Sequence, residues 1–238
     1  MRILLISAFI FTLLAAAGVP GRSQTVIISE KPGSHNWDNG YGMNRKHYSH
    51  SWLSFGFVAG SPDSPGADIS YWRSRNISYG YRYKRKYSEV FSGGFELMAS
   101  RTAFHPEQDQ YKMVPDTVVN DREKLVFVQA GAGAYQRVNF GQRGDHIGRF
   151  FDIGVYGGWN FHVRHITHNR EEGGERLRTR RTRMDYPETF EYGLLARLGS
   201  GNLVLRGTYR MSDLFKTGTG IPELPRFTVG AEIGLHPF

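Results

Sequence analysis

The sequence predicts an all-β fold, a closed antiparallel up-and-down barrel of eight strands that spans a membrane. From about residue 51 onward apolar and polar residues alternate with period two, the mark of strands with two different faces. The alternating stretches number eight. Their connections alternate between tight turns and long polar segments, the rhythm expected of a bacterial outer-membrane barrel.

Composition narrows the alternatives. The 238 residues include no cysteine, 39% hydrophobic and 14% aromatic residues and 29 glycines. A mean hydropathy of -0.45 leaves no room for a bundle of membrane helices, each needing roughly 20 consecutive apolar residues. The lack of cysteine excludes a disulfide scaffold and a CxxC zinc site, and the aromatic content argues against disorder.

Residues 1–23 read as a cleaved export signal, with Arg2, an apolar run from Ile3 to Ala17 and small residues after it. Cleavage after Ser23 is preferred, and Ala17 is the other candidate. Losing Arg2 and Arg22 leaves 28 basic against 22 acidic residues, a balance of +6. An exported chain with scattered positive charge is not expected to bind nucleic acid. Residues 24–49 hold Trp37, Tyr41, His47 and Tyr48 without clear periodicity. They read as a periplasmic segment, either a flexible leader or a partner-binding arm, before a barrel over 50–238.

Each strand contributes one greasy and one polar face. Leu53, Phe55, Phe57 and Ala59 mark the first; Ile77, Tyr79, Tyr81 and Tyr83 the second, opposite Ser78, Gly80, Arg82 and Lys84. Phe91, Phe95, Leu97 and Ala99 mark the third, opposite Glu96 and Ser100. The fourth sets Val126, Val128, Ala130, Ala132, Ala134 and Val138 against Gln129, Tyr135, Arg137 and Asn139. The fifth sets Phe151, Ile153, Val155, Trp159, Phe161 and Val163 against Asp152, Asn160, His162 and Arg164. Phe190, Tyr192, Leu194 and Leu198 oppose Glu191 and Arg197 in the sixth; Leu203, Leu205 and Tyr209 oppose Arg206 and Arg210 in the seventh. Phe227, Val229, Ile233 and Leu235 oppose Thr228 and Glu232 in the last. Turns fall near 88–89, 141–144 and 199–202, and long polar segments near 61–75, 105–123, 165–186 and 213–225.

Period two alone does not separate a membrane barrel from a soluble one filled with grease. Volume does. An eight-stranded ring has an interior just wide enough for side chains, and the aromatics of the apolar face would overfill it. The polar face is rich in glycine, as a crowded interior requires. Arg82, Arg137, Arg164, Arg197, Arg206 and Arg210, with Lys84, then share a narrow lumen with Glu96, Asp152, Glu191 and Glu232. Buried charge is costly unless paired, so these groups are expected to form a continuous ion-pair network that plugs the ring.

With its export signal, eight amphipathic strands, loop rhythm and terminal Phe238, the chain resembles the small eight-stranded outer-membrane β-barrel proteins of Gram-negative bacteria. That family includes the OmpA membrane domain and OmpX. The resemblance implies an outer-membrane location and a role for Phe238 as an insertion signal, although His236, Gly234 and Glu232 hold the phase usually apolar. In size the chain is also similar to PorT-type proteins of type IX secretion. Relatives with enzymatic activity act on lipid A or on proteins and keep histidines near the outer rim.

Chemistry-bearing clusters are few. Arg176, Arg178, Arg180, Arg181 and Arg183 form the densest basic run, read as a solvated loop in preference to an anion site. His162 and His168 share a face in an unbroken strand while His165 does not, and two ligands do not make a metal site. No metal and no cofactor are expected. His105 or His162 with Ser100 and an orienting Glu96 or Asp152 is the enzymatic alternative. The preferred expectation is a non-enzymatic, charge-plugged barrel, a binding or accessory subunit of an outer-membrane transport or secretion complex. It would contact outer-membrane lipid and a protein partner through its long loops or periplasmic leader. A lipid A-modifying enzyme and a narrow channel are the alternatives.

Overall fold

A computed structural model of the chain describes residues 40–62, 64–140, 146–170 and 176–235. Residues 1–23, read as an export signal, residues 24–39, the turn at 141–145 and Phe238 lie outside the described residues.

Nine strands form among the described residues: β1 (His47–Ala59), β2 (Arg75–Lys86), β3 (Phe91–Phe104), β4 (Arg122–Phe140), β5 (Arg149–Arg170), β6 (Arg176–Thr182), β7 (Phe190–Ser200), β8 (Leu203–Arg210) and β9 (Phe227–Leu235). Each pairs antiparallel with the next, except that β5 passes to β7 and β9 returns to β1. Eight strands thus close a ring, which leaves no free edge along the shared span.

Two boundaries differ from the sequence reading. β1 begins at His47, where His47 to His50 pair with Arg85 to Arg82. The segment at 165–186, read as a loop, is largely strand: β5 runs to Arg170, and β6 pairs with it from Arg164↔Thr182 to Arg170↔Arg176. β6 reads Arg-Leu-Arg-Thr-Arg-Arg-Thr, with a single apolar residue, so hydropathy carries no period there, while its β-branched threonines still favour strand.

The apolar face points outward on every ring strand. Phe55, Tyr79, Leu97, Ile153, Trp159, Tyr192, Leu205 and Ile233 are exposed, whereas Arg82, Glu96, Arg137, Asp152, Arg197 and Glu232 are buried at 1% exposure or less. Glycine makes the inner face fit. Trp52 pairs with Gly80, and a Cβ on Gly80 would stand 2.5 Å from the indole ring.

The phase of β5 shifts partway along. Val128 pairs with His162 but Gln129 with Asn160, so a bulge at Phe161 interrupts the ladder. A bulge adds one residue and turns later side chains to the other face. Val163 therefore packs against a buried cluster and His165 is buried.

Four layers follow one another along the axis. Tyr48, Ile147, Phe150 and Val204, with Met43, fill the turn end. Above them lies the ion layer with Trp52, Met98, Tyr135, Tyr156 and Leu195. A polar chamber comes next, and the long connections then fold over the far end around Val58, Ile69, Phe104, Val114, Leu125, Leu214, Phe215 and Leu224.

Candidate functional site

Register assembles the ion layer. Arg82 stands directly across from Glu96, and Arg137, Asp152, Arg197 and Arg206 form one row across four neighbouring strands. Cross-strand partners lie about 5 Å apart, so opposite charges in such rows meet without long reaches.

Arg82 joins two carboxylates, donating to Glu96 Oε2 from Nε (3.0 Å) and Nη2 (2.9 Å), and to Glu232 Oε1 from Nη1 (2.7 Å). Glu96 Oε2 also accepts from Arg197 Nη1 at 2.5 Å, and its Oε1 from Arg206 Nη2 at 3.4 Å. Arg137 grips Asp152 in a fork of 2.7 and 2.9 Å. Arg197 Nε lies 3.1 Å from Asp152 Oδ2 but without hydrogen-bond alignment. Arg206 Nη1 closes the circuit to Glu232 at 3.1 Å. Forked charge-assisted bonds of this kind are strong and fix orientation.

Aromatic faces hold the excess positive charge of four guanidinium groups against three carboxylates. Arg206 lies 4.4 Å from the Trp52 ring centre, Arg197 4.6 Å from that of Tyr135 and Arg137 3.5 Å from that of Phe150. The ring quadrupole attracts a cation most where water is excluded.

Four residues read as part of this network sit elsewhere. The bulge turns Arg164 outward, where its Nε donates to His162 Nε2 at 2.6 Å. Lys84 belongs to the turn-end plug, with its ammonium bonded to the Met43 carbonyl and lying over Tyr48. Arg210 ties the last long connection through Glu223 (2.9 Å) and the carbonyls of Ser212 and Leu224. Glu191 faces the chamber and accepts from the Tyr156 hydroxyl at 3.0 Å.

The chamber above the ion layer has a volume of about 60 Å³ and a wall of Ser54, Asn76, Ser78, Thr102, Gln129 and Thr208, among others. A water needs roughly 10–15 Å³ of such space, so a few waters fit and a larger molecule does not.

A second buried ion cluster was not anticipated. Glu123 accepts from His165 Nε2 (2.5 Å), Gln108 Nε2 (3.0 Å) and Asn120 Nδ2 (3.1 Å), and its Oε2 lies 2.7 Å from Lys112 Nζ. It pins the 105–121 connection to the ends of β4 and β5. Residues widely separated in sequence meet here, and only the phase shift in β5 brings His165 inside. No local signal announces it.

The enzymatic constellation does not assemble. The Ser100 hydroxyl donates to Gln129 Oε1 at 3.2 Å, Glu96 and Asp152 are committed to arginines, and His162 faces outward beside Arg164. His105 has a buried Nδ1 without a hydrogen-bond partner. Burial first, and then Arg73, Lys124, Arg75 and Arg101, pull its pKa down to about 4. The ring is neutral at neutral pH. Among the described residues no three His, Asp or Glu side chains gather as metal ligands.

The basic run also divides. Register puts Arg178 and Arg180 on one face of β6 and Arg181, paired with His165, on the other. By register Arg176 pairs with Arg170, and Arg183 follows the strand in the left-handed region at φ 62°. No protein-family model matches the chain, and no curated protein is similar to it in sequence.

Proposed function

We propose that the protein is an outer-membrane β-barrel that acts as a sealed anchor, presenting its folded long connections to a partner in a transport or secretion complex. The observation that carries the membrane reading is the outward belt of Leu, Ile, Phe, Tyr and Trp around a ring whose charged residues are buried. Burying that belt in lipid removes it from water, and a closed ladder leaves no unpaired backbone group to face hydrocarbon.

The axial layers favour an anchor over a conduit. Ions crossing the ring would have to displace arginines and acids that hold one another at 2.5–3.1 Å. The docking reading draws on the connections, which bury an apolar core yet leave Tyr111, Met113, Val118 and Val119 exposed on the 105–121 segment. Large exposed apolar groups clustered on one ordered connection mark a contact surface.

Photocrosslinking from positions 111 and 118 in cells tests this. Capture of one recurrent partner, lost on Tyr111→Ser with Val118→Ser, is the expected result. Uniform labelling of bulk membrane proteins defeats the docking reading, and recovery of the mature chain in the soluble fraction without detergent defeats the membrane reading.

A further inference from the structure

The extension formed by β4, β5 and β6 carries very different chemistry on its two faces. Arg122 pairs with His168, and His168 with Arg178; Lys124 pairs with Ile166, and Ile166 with Arg180; Val126 pairs with Arg164. Nearer the ring, Arg101 of β3 pairs with Val128, which pairs with His162. Residues in one cross-strand row share a face, and every second row returns to it. These rows lie on the outward wall, and no position in them holds an acid. The opposite face carries Glu123, already paired with Lys112 and hydrogen-bonded to His165.

The cations form one electrostatic group. Lys124 feels the charges of Arg101, Arg178 and Arg164, and His168 those of Arg178, Lys124 and Arg122. Neighbouring strands are about 4.8 Å apart. In these rows no two lysines or arginines stand directly opposite; Lys124 and Arg164, and Arg164 and Arg180, are diagonal neighbours about 7–8 Å apart, within about one screening length at physiological salt. Such a face is unfavourable until an anion neutralises it. Val126 and Ile166 in these rows are buried, and the long stems of basic side chains can cover apolar surface while their charged heads stay at the exterior.

Position supplies the second observation. Directly toward the ring, the same wall becomes the apolar belt, with Ile77, Tyr79, Leu97, Trp159 and Phe161 exposed. We infer that this face binds the phosphate groups of lipids in the leaflet at the long-connection end, with cations from β3, β4, β5 and β6 converging on one phosphorylated headgroup. The inference rests on the membrane placement proposed above. A lipid suits the face better than free phosphate because acyl chains can lie along Trp159 and Phe161 while the headgroup reaches Lys124 and Arg164.

The test uses the full mature chain refolded into vesicles containing a diphosphorylated glycolipid, or the same glycolipid with its phosphates removed. After mild detergent extraction, retained lipid is counted by native mass spectrometry. The expected result is at least a fivefold preference for the phosphorylated form. Lys124→Gln with Arg164→Gln abolishes the preference, and so does Arg178→Gln with Arg180→Gln, which lies on β6 and leaves the ring pairs untouched. Lys46→Gln with Arg85→Gln, an equal charge loss at the turn end, retains it. Millimolar inorganic phosphate leaves a true lipid site occupied, whereas release of the lipid by phosphate alone overturns the lipid assignment. Equal retention of both glycolipids by a protein that has inserted overturns the inference alone. Failure to insert at all overturns the membrane reading and the inference with it.

Discussion

Glu96 is the most connected acid of the axial layer, and replacing it with glutamine tests whether the network is a structural keystone. The carboxylate accepts from Arg82, Arg197 and Arg206, all almost fully buried. Glu96→Gln keeps shape and volume but leaves the four guanidinium groups facing only Asp152 and Glu232, so the local charge rises from +1 to +2. Breaking a buried pair by removing one partner costs about 3–5 kcal/mol, because the remaining charge stays buried and uncompensated. That is about two to three and a half decades in the folding equilibrium. Lys86–Glu89 provides the contrast. Its carboxylate is 79% exposed, and Glu89→Gln is expected to cost at most about 1 kcal/mol.

The measurement is a denaturant titration of both variants in vesicles, followed by fold-dependent gel mobility and tryptophan emission. The midpoint should move with little change in slope, since the surface exposed on unfolding is the same. Adding Arg197→Met to Glu96→Gln removes the stranded cation and should recover part of the loss, a coupling of about 0.5–3 kcal/mol. A Glu96→Gln variant within about 1 kcal/mol of the parent, or no worse than Glu89→Gln, would refute the view that paired burial, and not solvation by hidden water, holds these charges.

Two further outcomes are expected. Glu123→Gln removes the charge and one of the two acceptor oxygens that hold His165 and Lys112, and should speed proteolysis within 105–121 at least severalfold while leaving the ring's denaturation midpoint within about 1 kcal/mol. An unchanged cleavage rate would mean that this cluster does not hold the connection. His105, with its pKa lowered to about 4, binds fewer protons when folded than when unfolded between that value and about 6.5. Stability should therefore fall as pH drops through that window, by on the order of 1 kcal/mol once solvent screening is allowed for. His105→Gln should flatten the slope, and identical pH profiles for the two proteins would remove the histidine from the account.

The ring was legible because the outward apolar residues of β1, β2, β3, β7, β8 and β9 keep an unbroken period of two. That period also put Arg82, Glu96, Arg137, Asp152, Arg197, Arg206 and Glu232 on one face, although which acid meets which base is a matter of register that one strand alone does not contain. β6 was not legible, since Leu177 is its one apolar residue and leaves no period to read. The inward placement of His162 and Arg164 failed for a different reason. Phe161 looks like any other outward aromatic, and its bulge is defined only by the residues β4 sets opposite it.

That bulge has a wider consequence for how one strand pair does two jobs. Below Phe161, β4 and β5 belong to the ring, with Ala130 paired to Trp159 on the outward wall. At Trp159↔Phe190 the ladder with β7 ends, and β5 takes β6 as its partner from Arg164 onward. Without the extra residue, His162 and Arg164 would face the apolar cluster where Val163 now packs, and His165 would face out, leaving Glu123 with one partner fewer. A buried arginine among Phe104, Leu125 and Phe127 would carry the full cost of an unpaired interior charge. The bulge instead exports His162 and Arg164 to the outer wall and imports the histidine that bonds Glu123. It separates the seal from the cationic face.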